Sequence, residues 1–202
     1  TSCAFMDIDQ DGDLDLFVVN YLNWSESVEL KCMSAFGDPD YCHPNNYNSP
    51  AADVLYQNDG DGTFTDITTR SGVAEAFGNG LGVAPGDFNS DGFMDVYVAN
   101  DMTANQLWMN QRDGTFKESG LLAGCAVNGE GAAEAGMGVV AFDAENDGDL
   151  DLYLTHLREQ TNTLYINQGG GFTDKTSIVG LAGPSLRFTG FGTGAADFDQ
   201  DG

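Results

Sequence analysis

Four short segments of this chain carry acidic side chains at alternate positions, always in the same order of residue types. Each segment has carboxylate or amide oxygens at positions 1, 3 and 5, and a glycine at position 6. The three complete copies add an aspartate at position 9; they begin at Asp7, Asp87 and Asp143, and a further copy begins at Asp197. Carboxylates crowded into so short a segment repel one another, so a hard cation among them would stabilise each loop.

Calcium is the cation that this pattern suits best. Oxygen ligands at alternate positions, with a backbone carbonyl at position 7, match its six- to eight-fold coordination, whereas magnesium prefers a smaller, more rigid octahedron. We therefore predict about one calcium ion per complete loop. The predicted ligands are Asp7, Asp9, Asp11, the carbonyl of Asp13 and Asp15; Asp87, Asn89, Asp91, the carbonyl of Phe93 and Asp95; Asp143, Glu145, Asp147, the carbonyl of Asp149 and Asp151; and Asp197, Asp199 and Asp201.

Two other interpretations of these loops deserve comparison. An EF-hand begins in the same way but needs a glutamate at position 12 and a helix on each side. Position 12 is Val18, Val98 or Leu154, each within a strand-like run, so the sequence excludes an EF-hand. Alternatively, Asp, Asn and Gly only cap tight turns. Recurrence of the loop in register favours the metal site, although Glu145 departs from the pattern with a longer side chain.

The loops recur with a period near 55 residues, once an insertion of roughly 25–30 residues is removed from the first interval. Each complete loop ends in a strand-like run that, after the position-9 aspartate, is mostly apolar at consecutive positions: Leu14–Val19, Met94–Ala99 and Leu150–Thr155. Such a strand is predicted to be buried on both faces. Two more strands follow, joined by a turn rich in Asn and Gly, which tolerate positive φ.

These units predict an all-β fold, a β-propeller of four-stranded antiparallel blades. The chain supplies about three blades and the start of a fourth, so we interpret it as a fragment of a longer propeller. A linear β-solenoid is the alternative. The predicted boundaries are blade 1 at about 1–70 with an insertion at 22–52, blade 2 at about 79–120, blade 3 at about 136–178 and the start of blade 4 at about 188–202.

The insertion joins the second and third strands of blade 1, so it should lie on the rim opposite the acidic loops. Long loops on a rigid scaffold often carry recognition. Its aromatic residues Trp24, Phe36, Tyr41 and Tyr47 are candidates for stacking on sugar rings or anchoring a protein partner. The alternative is that they pack around a disulfide as a small core of the loop itself.

The cysteines divide into two groups. Cys32 and Cys42 lie ten residues apart within the insertion, and we predict that they form a disulfide. A ring of that size stabilises by about 2–3 kcal/mol and favours an oxidising compartment. Cys3 and Cys125 lie near predicted strands and are expected to be small buried apolar residues.

The net charge is −25, and 16 of the 32 acidic residues lie inside the four loops. So much localised negative charge repels nucleic acid and anionic membrane surfaces. No stretch approaches the roughly 20 apolar residues that span a bilayer, so membrane insertion is not expected. Divalent cations are the electrostatic partners that this charge favours.

The residues Phe191, Gly192, Gly194 and Ala195, followed by Asp197–Gly202, resemble the FG-GAP and VCBS repeats of integrin α-subunit propellers and bacterial exported proteins. The insertion, with Cys32 and the segment Asp40–Pro44, resembles the bacterial relatives of the cartilage acidic protein, the ASPIC/UnbV group. The resemblance implies an exported, calcium-stabilised propeller of seven blades, used mostly for adhesion or partner binding.

The sequence therefore predicts a calcium-binding module of an extracellular or periplasmic protein, acting in binding, adhesion or as a structural scaffold. Its expected partner is a protein or glycan bound on the rim opposite the calcium loops. An enzyme is not expected, since motifs such as G-x-S-x-G, HExxH and phosphate-binding loops are missing from the sequence. Two alternatives stay open: a non-catalytic part of a carbohydrate-active propeller enzyme, and a structural subunit of a surface assembly.

Overall fold

The structure is a computed structural model, and it describes residues 1–199. Within that range the regular structure is mostly β-strand, with three α-helices of one turn each, α1 (Pro44–Tyr47), α2 (Gly120–Ala123) and α3 (Ala182–Ser185), and two short 3-10 helices at Glu26–Val28 and Val73–Glu75. Its strands are β1 (Ser2–Met6), β2 (Asp15–Val19), β3 (Cys32–Met33), β4 (Pro39–Asp40), β5 (Val54–Asn58), β6 (Phe64–Asp66), β7 (Gly80–Gly86), β8 (Asp95–Asn100), β9 (Gln106–Asn110), β10 (Phe116–Glu118), β11 (Gly138–Phe142), β12 (Asp151–Thr155), β13 (Thr163–Asn167) and β14 (Phe172–Asp174).

Twelve of these strands form three antiparallel sheets with the same connectivity. The sheets run β1-β2-β5-β6, β7-β8-β9-β10 and β11-β12-β13-β14, and the short pair β3-β4 forms a separate ribbon inside the insertion. Equivalent residues pair in each sheet; for example, Phe17 lies opposite Leu55, and Tyr97 lies opposite Leu107. The all-β prediction of repeated four-stranded blades is confirmed, and together the sheets form part of a propeller.

The core lies between the sheets. On β8 every residue is buried, and successive side chains alternate between two hydrophobic clusters. Val96 and Val98 pack with the first sheet, whereas Tyr97 and Ala99 pack with the third. This alternation explains why the second strand of a blade is apolar at consecutive positions, since each of its faces contacts a different neighbouring sheet.

The first strands of the three sheets, β1, β7 and β11, lie side by side, and glycines on β7 permit its close approach to the neighbouring sheets. A Cβ atom added to Gly80 would lie 2.2 Å from Cγ1 of Val19, and one added to Gly82 would lie 3.3 Å from the carbonyl oxygen of Met137. Both positions therefore require glycine or local rearrangement. The small-residue runs that precede the loops are explained by this contact.

A hydrogen bond at equivalent positions joins each unit to the next. The N–H of Gly80 donates to the carbonyl of Asn20 (3.0 Å), that of Gly136 to Asn100 (2.9 Å) and that of Gly190 to His156 (3.1 Å). The start of the fourth unit thus continues the pattern, although residues 188–199 contain no strand. In each complete sheet the first strand pairs only with the second, so a first strand alone has no hydrogen-bonding partner.

The insertion contains the predicted disulfide between Cys32 and Cys42. Cys125 is free and buried, as expected, but the expectation for Cys3 was wrong because its side chain is exposed. Cys3 and Phe5 lie on the exposed face of β1, whereas Ser2 and Ala4, on the other face, are half-buried. In the described range no helix has the length and apolar character needed to cross a membrane.

Candidate metal centres

The aspartate at position 1 folds each loop by accepting backbone hydrogen bonds. In all three complete loops its Oδ2 atom accepts the N–H of the position-6 glycine: Asp7 from Gly12 (3.1 Å), Asp87 from Gly92 (2.7 Å) and Asp143 from Gly148 (2.9 Å). These glycines have φ between 90° and 95°, a region that glycine adopts readily. Each loop therefore turns back on its own first carboxylate.

The aspartate at position 9 is buried and joins the loop to the third strand of its blade. Asp95, for example, is fully buried; its Oδ2 accepts the N–H of Phe88 (3.0 Å) and its Oδ1 accepts that of Asn110 (2.8 Å). Asp15 and Asp151 make the equivalent pairs of bonds, with Ile8 and Asn58 and with Ala144 and Asn167. Burial raises the pKa of Asp95 to about 6, although both hydrogen bonds lower it.

The first loop brings three carboxylates together. One oxygen from each of Asp7, Asp9 and Asp15 lies within 4.8 Å of the others, and no other three acidic, His or Cys side chains in residues 1–199 converge this closely. Burial raises the pKa of Asp15, and the charges of Asp9 and Asp11 raise it further, against hydrogen bonds that lower it. The cluster thus repels itself and offers only oxygen donors, which fits a hard cation such as calcium.

In the second loop an arginine side chain forms an ion pair with one of the acidic residues. The guanidinium of Arg112 lies 2.9 Å from Oδ2 of Asp91, a carboxylate whose side chain is only 9% exposed. The hydrogen bonds from Phe93 and Arg112 outweigh burial and hold the pKa of Asp91 below its ordinary value. Arg112 is also a backbone exception: its φ is 64°, and the equivalent residues of the other blades are glycines, Gly60 and Gly169.

The remaining predicted ligands are less closely assembled. At position 3 of the second loop, Asn89 exchanges hydrogen bonds with Asp91, and at position 3 of the third loop Glu145 is exposed. In all three loops the position-5 carboxylate accepts the N–H of the residue at position 7, namely Asp13, Phe93 or Asp149. In the fourth copy Asp197 and Asp199 are exposed, and Asp201 lies outside the described residues.

A sequence profile described as an FG-GAP-like repeat matches three successive, overlapping segments, residues 37–98, 87–154 and 143–202. The chain belongs to the FG-GAP-like repeat family. Among characterised proteins it is similar to cartilage acidic protein 1 of Xenopus tropicalis, 29% identical over 163 residues, and to the mouse and human proteins of that name, each 28% identical over 162 residues. Each match covers 78% of this chain but 24% of the relative, so the chain spans about a quarter of these proteins.

In the second and third of these FG-GAP-like repeats one asparagine joins the blade to the preceding one, a role that the sequence pattern does not predict. Nδ2 of Asn110 donates to the carbonyl of Ile8 in the preceding blade (2.8 Å) and to that of Met94 in its own (3.2 Å). Asn167 makes the equivalent bonds to Phe88 (2.8 Å) and Leu150 (3.1 Å). The sequence does place an asparagine at the end of the third strand of each blade, Asn58, Asn110 and Asn167. Its position beside an Asn- and Gly-rich turn indicated a turn residue and not a contact between blades.

On the opposite rim, the insertion aromatics do not form a small core. Tyr41 is 99% exposed, Phe36 94% and Trp24 55%, so the packing alternative fails for these three residues. Tyr47 is half-buried, and its hydroxyl donates to Glu29 (3.2 Å). The insertion contacts the second blade, where Nδ2 of Asn45 donates to the carbonyl of Met102 (3.3 Å). Just before the insertion, the hydroxyl of Tyr21 donates to Asp101 of the same blade (2.6 Å).

The two histidines have local structural contacts. His156 is 1% exposed and its Nδ1 lies 2.8 Å from the carbonyl oxygen of Thr161. Burial lowers its pKa, although the nearby carboxylate of Glu134 raises it. His43 caps α1 by accepting the N–H of Asn45 on Nδ1 (3.2 Å).

Proposed function

We propose that this FG-GAP-like repeat module binds calcium in its acidic loops and acts as an extracellular or periplasmic scaffold for binding or adhesion. The observation that carries the proposal is the convergence of Asp7, Asp9 and Asp15 in the first loop. The same loop recurs at equivalent places in the next two blades, with its position-1 and position-9 aspartates bonded in the same way.

Hydrogen bonds within the protein position the loop carboxylates. The position-1 carboxylate sets the turn, and the position-9 carboxylate holds the loop against the third strand. A bound calcium ion would supply two positive charges to carboxylates that otherwise repel one another. Neutralising them would stabilise the contact between the loop and the rest of its blade, so the ion is proposed as part of the fold and takes no part in catalysis.

Export is supported by the disulfide between Cys32 and Cys42, since such bonds persist mainly in oxidising compartments. The similarity to cartilage acidic protein 1 concerns a quarter of that protein, so the role of the whole protein is part of the proposal. The recognition face proposed here is the insertion on the rim opposite the acidic loops, with Trp24, Phe36, Tyr41 and Tyr47 as candidate contacts for a protein or glycan.

We expect calcium to raise the melting temperature of the full-length protein well above its value in EGTA, and magnesium to raise it much less. A single site at 100 times its Kd adds about 2.7 kcal/mol to the free energy of unfolding. Differential scanning calorimetry in Ca²⁺, Mg²⁺ and EGTA measures the effect. Equal melting temperatures in calcium and chelator would contradict the metal proposal.

The contribution of the first loop can be isolated with Asp9→Ala. Asp9 is exposed, and its carboxylate accepts hydrogen bonds from the side-chain amide of Gln57 (2.7 Å) and the backbone N–H of Asp11 (3.3 Å). Its loss should therefore change the stability of the chelated protein little. The calcium-dependent rise should shrink, and titration calorimetry should count one ion fewer. The matched control is Glu130→Ala, an exposed carboxylate on the other rim, which should leave both measurements unchanged.

Arg112→Gly should strengthen calcium binding at the second loop by about tenfold. A guanidinium and a divalent ion that share one carboxylate, about 5 Å apart, repel by roughly 1.5–2 kcal/mol even at the dielectric constant of water. Glycine is the residue of the other two blades at this position and suits the positive φ. Titration calorimetry would show the change; an unaltered or weaker second site would mean that Arg112 does not compete with the ion.

A further inference from the structure

The insertion contains a pocket whose lining is aromatic and acidic. Its volume is about 650 Å³, which is within the usual range for a bound side chain or small ligand. Four aromatic residues line it, Tyr21, Trp24, Tyr41 and Tyr47, together with the carboxylates of Glu29 and Asp40. It lies on the rim opposite the acidic loops, away from the candidate metal centres.

Hydrogen bonds hold the walls of this pocket. The carboxylate of Glu29 accepts the indole N–H of Trp24 on one oxygen and the hydroxyl of Tyr47 on the other. The hydroxyl of Tyr21 donates to Asp101 of the second blade, and the disulfide fixes Cys42 in the same lining. Two of the rings are thus oriented around one carboxylate.

The pocket is poor in donors and rich in acceptors. The donating groups of Tyr21, Trp24 and Tyr47 are already used within the protein, and the described lining contains no Lys, Arg, Asn or Gln side chain. The Tyr41 hydroxyl remains as its available side-chain donor. A ligand that fits this lining must itself donate hydrogen bonds, which describes an ammonium or guanidinium group far better than a sugar.

Charge favours the same class of ligand. Between residues 22 and 52 the insertion carries four acidic residues, Glu26, Glu29, Asp38 and Asp40, and one basic residue, Lys31. Even four bound divalent ions would leave more than half of the net charge of −25. Anionic glycans would be repelled, whereas a cation over exposed aromatic faces gains both ring and carboxylate attraction.

We infer that this pocket binds a lysine or arginine side chain on a basic segment of a protein partner. The inference rests on the proposed recognition role of the insertion and narrows it from protein or glycan to a cationic peptide. Trp24 and Tyr41 provide the ring faces, because both are exposed on the pocket wall. Glu29 and Asp40 provide the negative charge beside them.

The test is titration calorimetry of the full-length protein with tetralysine and tetraarginine, and with the neutral sugar maltotetraose. We expect peptide binding that weakens with salt, at least tenfold weaker in Trp24→Ala and Tyr41→Ala and close to wild type in Tyr41→Phe, which keeps the ring. Phe36→Ala is the matched control, since Phe36 is equally exposed but lies outside the pocket, and it should bind as the wild type does.

Peptide binding that is unaltered in both alanine variants would show general attraction to an acidic surface and overturn the inference. Tighter binding of maltotetraose than of either peptide would overturn it too. Repeating the titrations in EGTA separates this inference from the calcium proposal. If calcium does not affect melting but the peptide still requires Trp24 and Tyr41, the metal proposal fails and the cation pocket stands.

Discussion

Asp53→Asn is expected to stabilise the protein by about 2–4 kcal/mol at pH 8 and to have little effect at pH 4. Asp53 is 4% exposed, and burial raises its pKa to about 7, while the hydrogen bond from the N–H of Asn20 lowers it. One unit of pKa difference between folded and unfolded states corresponds to about 1.4 kcal/mol. The ionised carboxylate therefore costs stability in the folded protein.

The sign follows from the raised pKa. A carboxyl group with a higher pKa in the folded state gives its full stabilisation below its unfolded pKa of 3.8, and that stabilisation is lost as the pH rises through about 7. Asparagine does not ionise, so the variant should keep the stability that the wild type loses in this window.

The other blades show that an amide fits this position. The N–H of Asn20 donates to Oδ1 of Asp53 (2.9 Å), and Asn105 and Asn162 accept the equivalent bonds from Asn100 (2.8 Å) and His156 (3.1 Å). Urea denaturation from pH 4 to 8 at fixed calcium concentration measures the difference. Exposed Asp38→Asn is the control. A gain that is the same at every pH would show that ionisation of Asp53 is not its cause.

Asn110→Ala should destabilise the protein by about 2–4 kcal/mol. The side-chain amide of Asn110 bonds two carbonyls, of Ile8 and Met94, and Asn110 is only 4% exposed. Leaving a buried polar group without a partner costs about 1–3 kcal/mol. Asn167→Ala should behave similarly, because its amide bonds Phe88 and Leu150 in the same arrangement.

Asn58→Ala is the matched control for these variants. Asn58 occupies the same position in the first blade, but it is half-buried. Its amide donates an exposed hydrogen bond to the carbonyl of Leu14 in its own blade (3.1 Å). Its loss should cost about 1 kcal/mol or less. Chemical denaturation of the three variants makes the comparison, and equal losses at Asn58 and Asn110 would show that the contact between blades contributes little.

The fold was predictable because its main signals are local and repeated. Alternate acids, a glycine and then consecutive apolar residues recur in each unit, and each part of that pattern has one clear structural cause. The disulfide was predictable from two cysteines in one loop. The burial of Cys3 was predicted wrongly, because the sequence does not show which face of β1 meets a neighbouring sheet.

The sites were less predictable because they depend on contacts between distant residues. No spacing rule links Arg112 to Asp91 or Asn110 to Ile8, since the turn and the loop meet only after the blades have formed. The position-9 aspartates are predicted metal ligands, and in the structure each of them accepts two backbone N–H groups. Their spacing in the sequence predicts a carboxylate in the loop, but it does not indicate that this carboxylate accepts two backbone hydrogen bonds.

The asparagine amides give the array a direction. In each described case the later blade donates and the earlier blade accepts, so an earlier loop is completed by residues made after it. The amino-terminal part of a chain leaves the ribosome first. Each blade that emerges would therefore supply the amide that bonds the loop of the blade synthesised before it. Synthesis that stopped between two blades would therefore leave only the most recent loop without its amide donor.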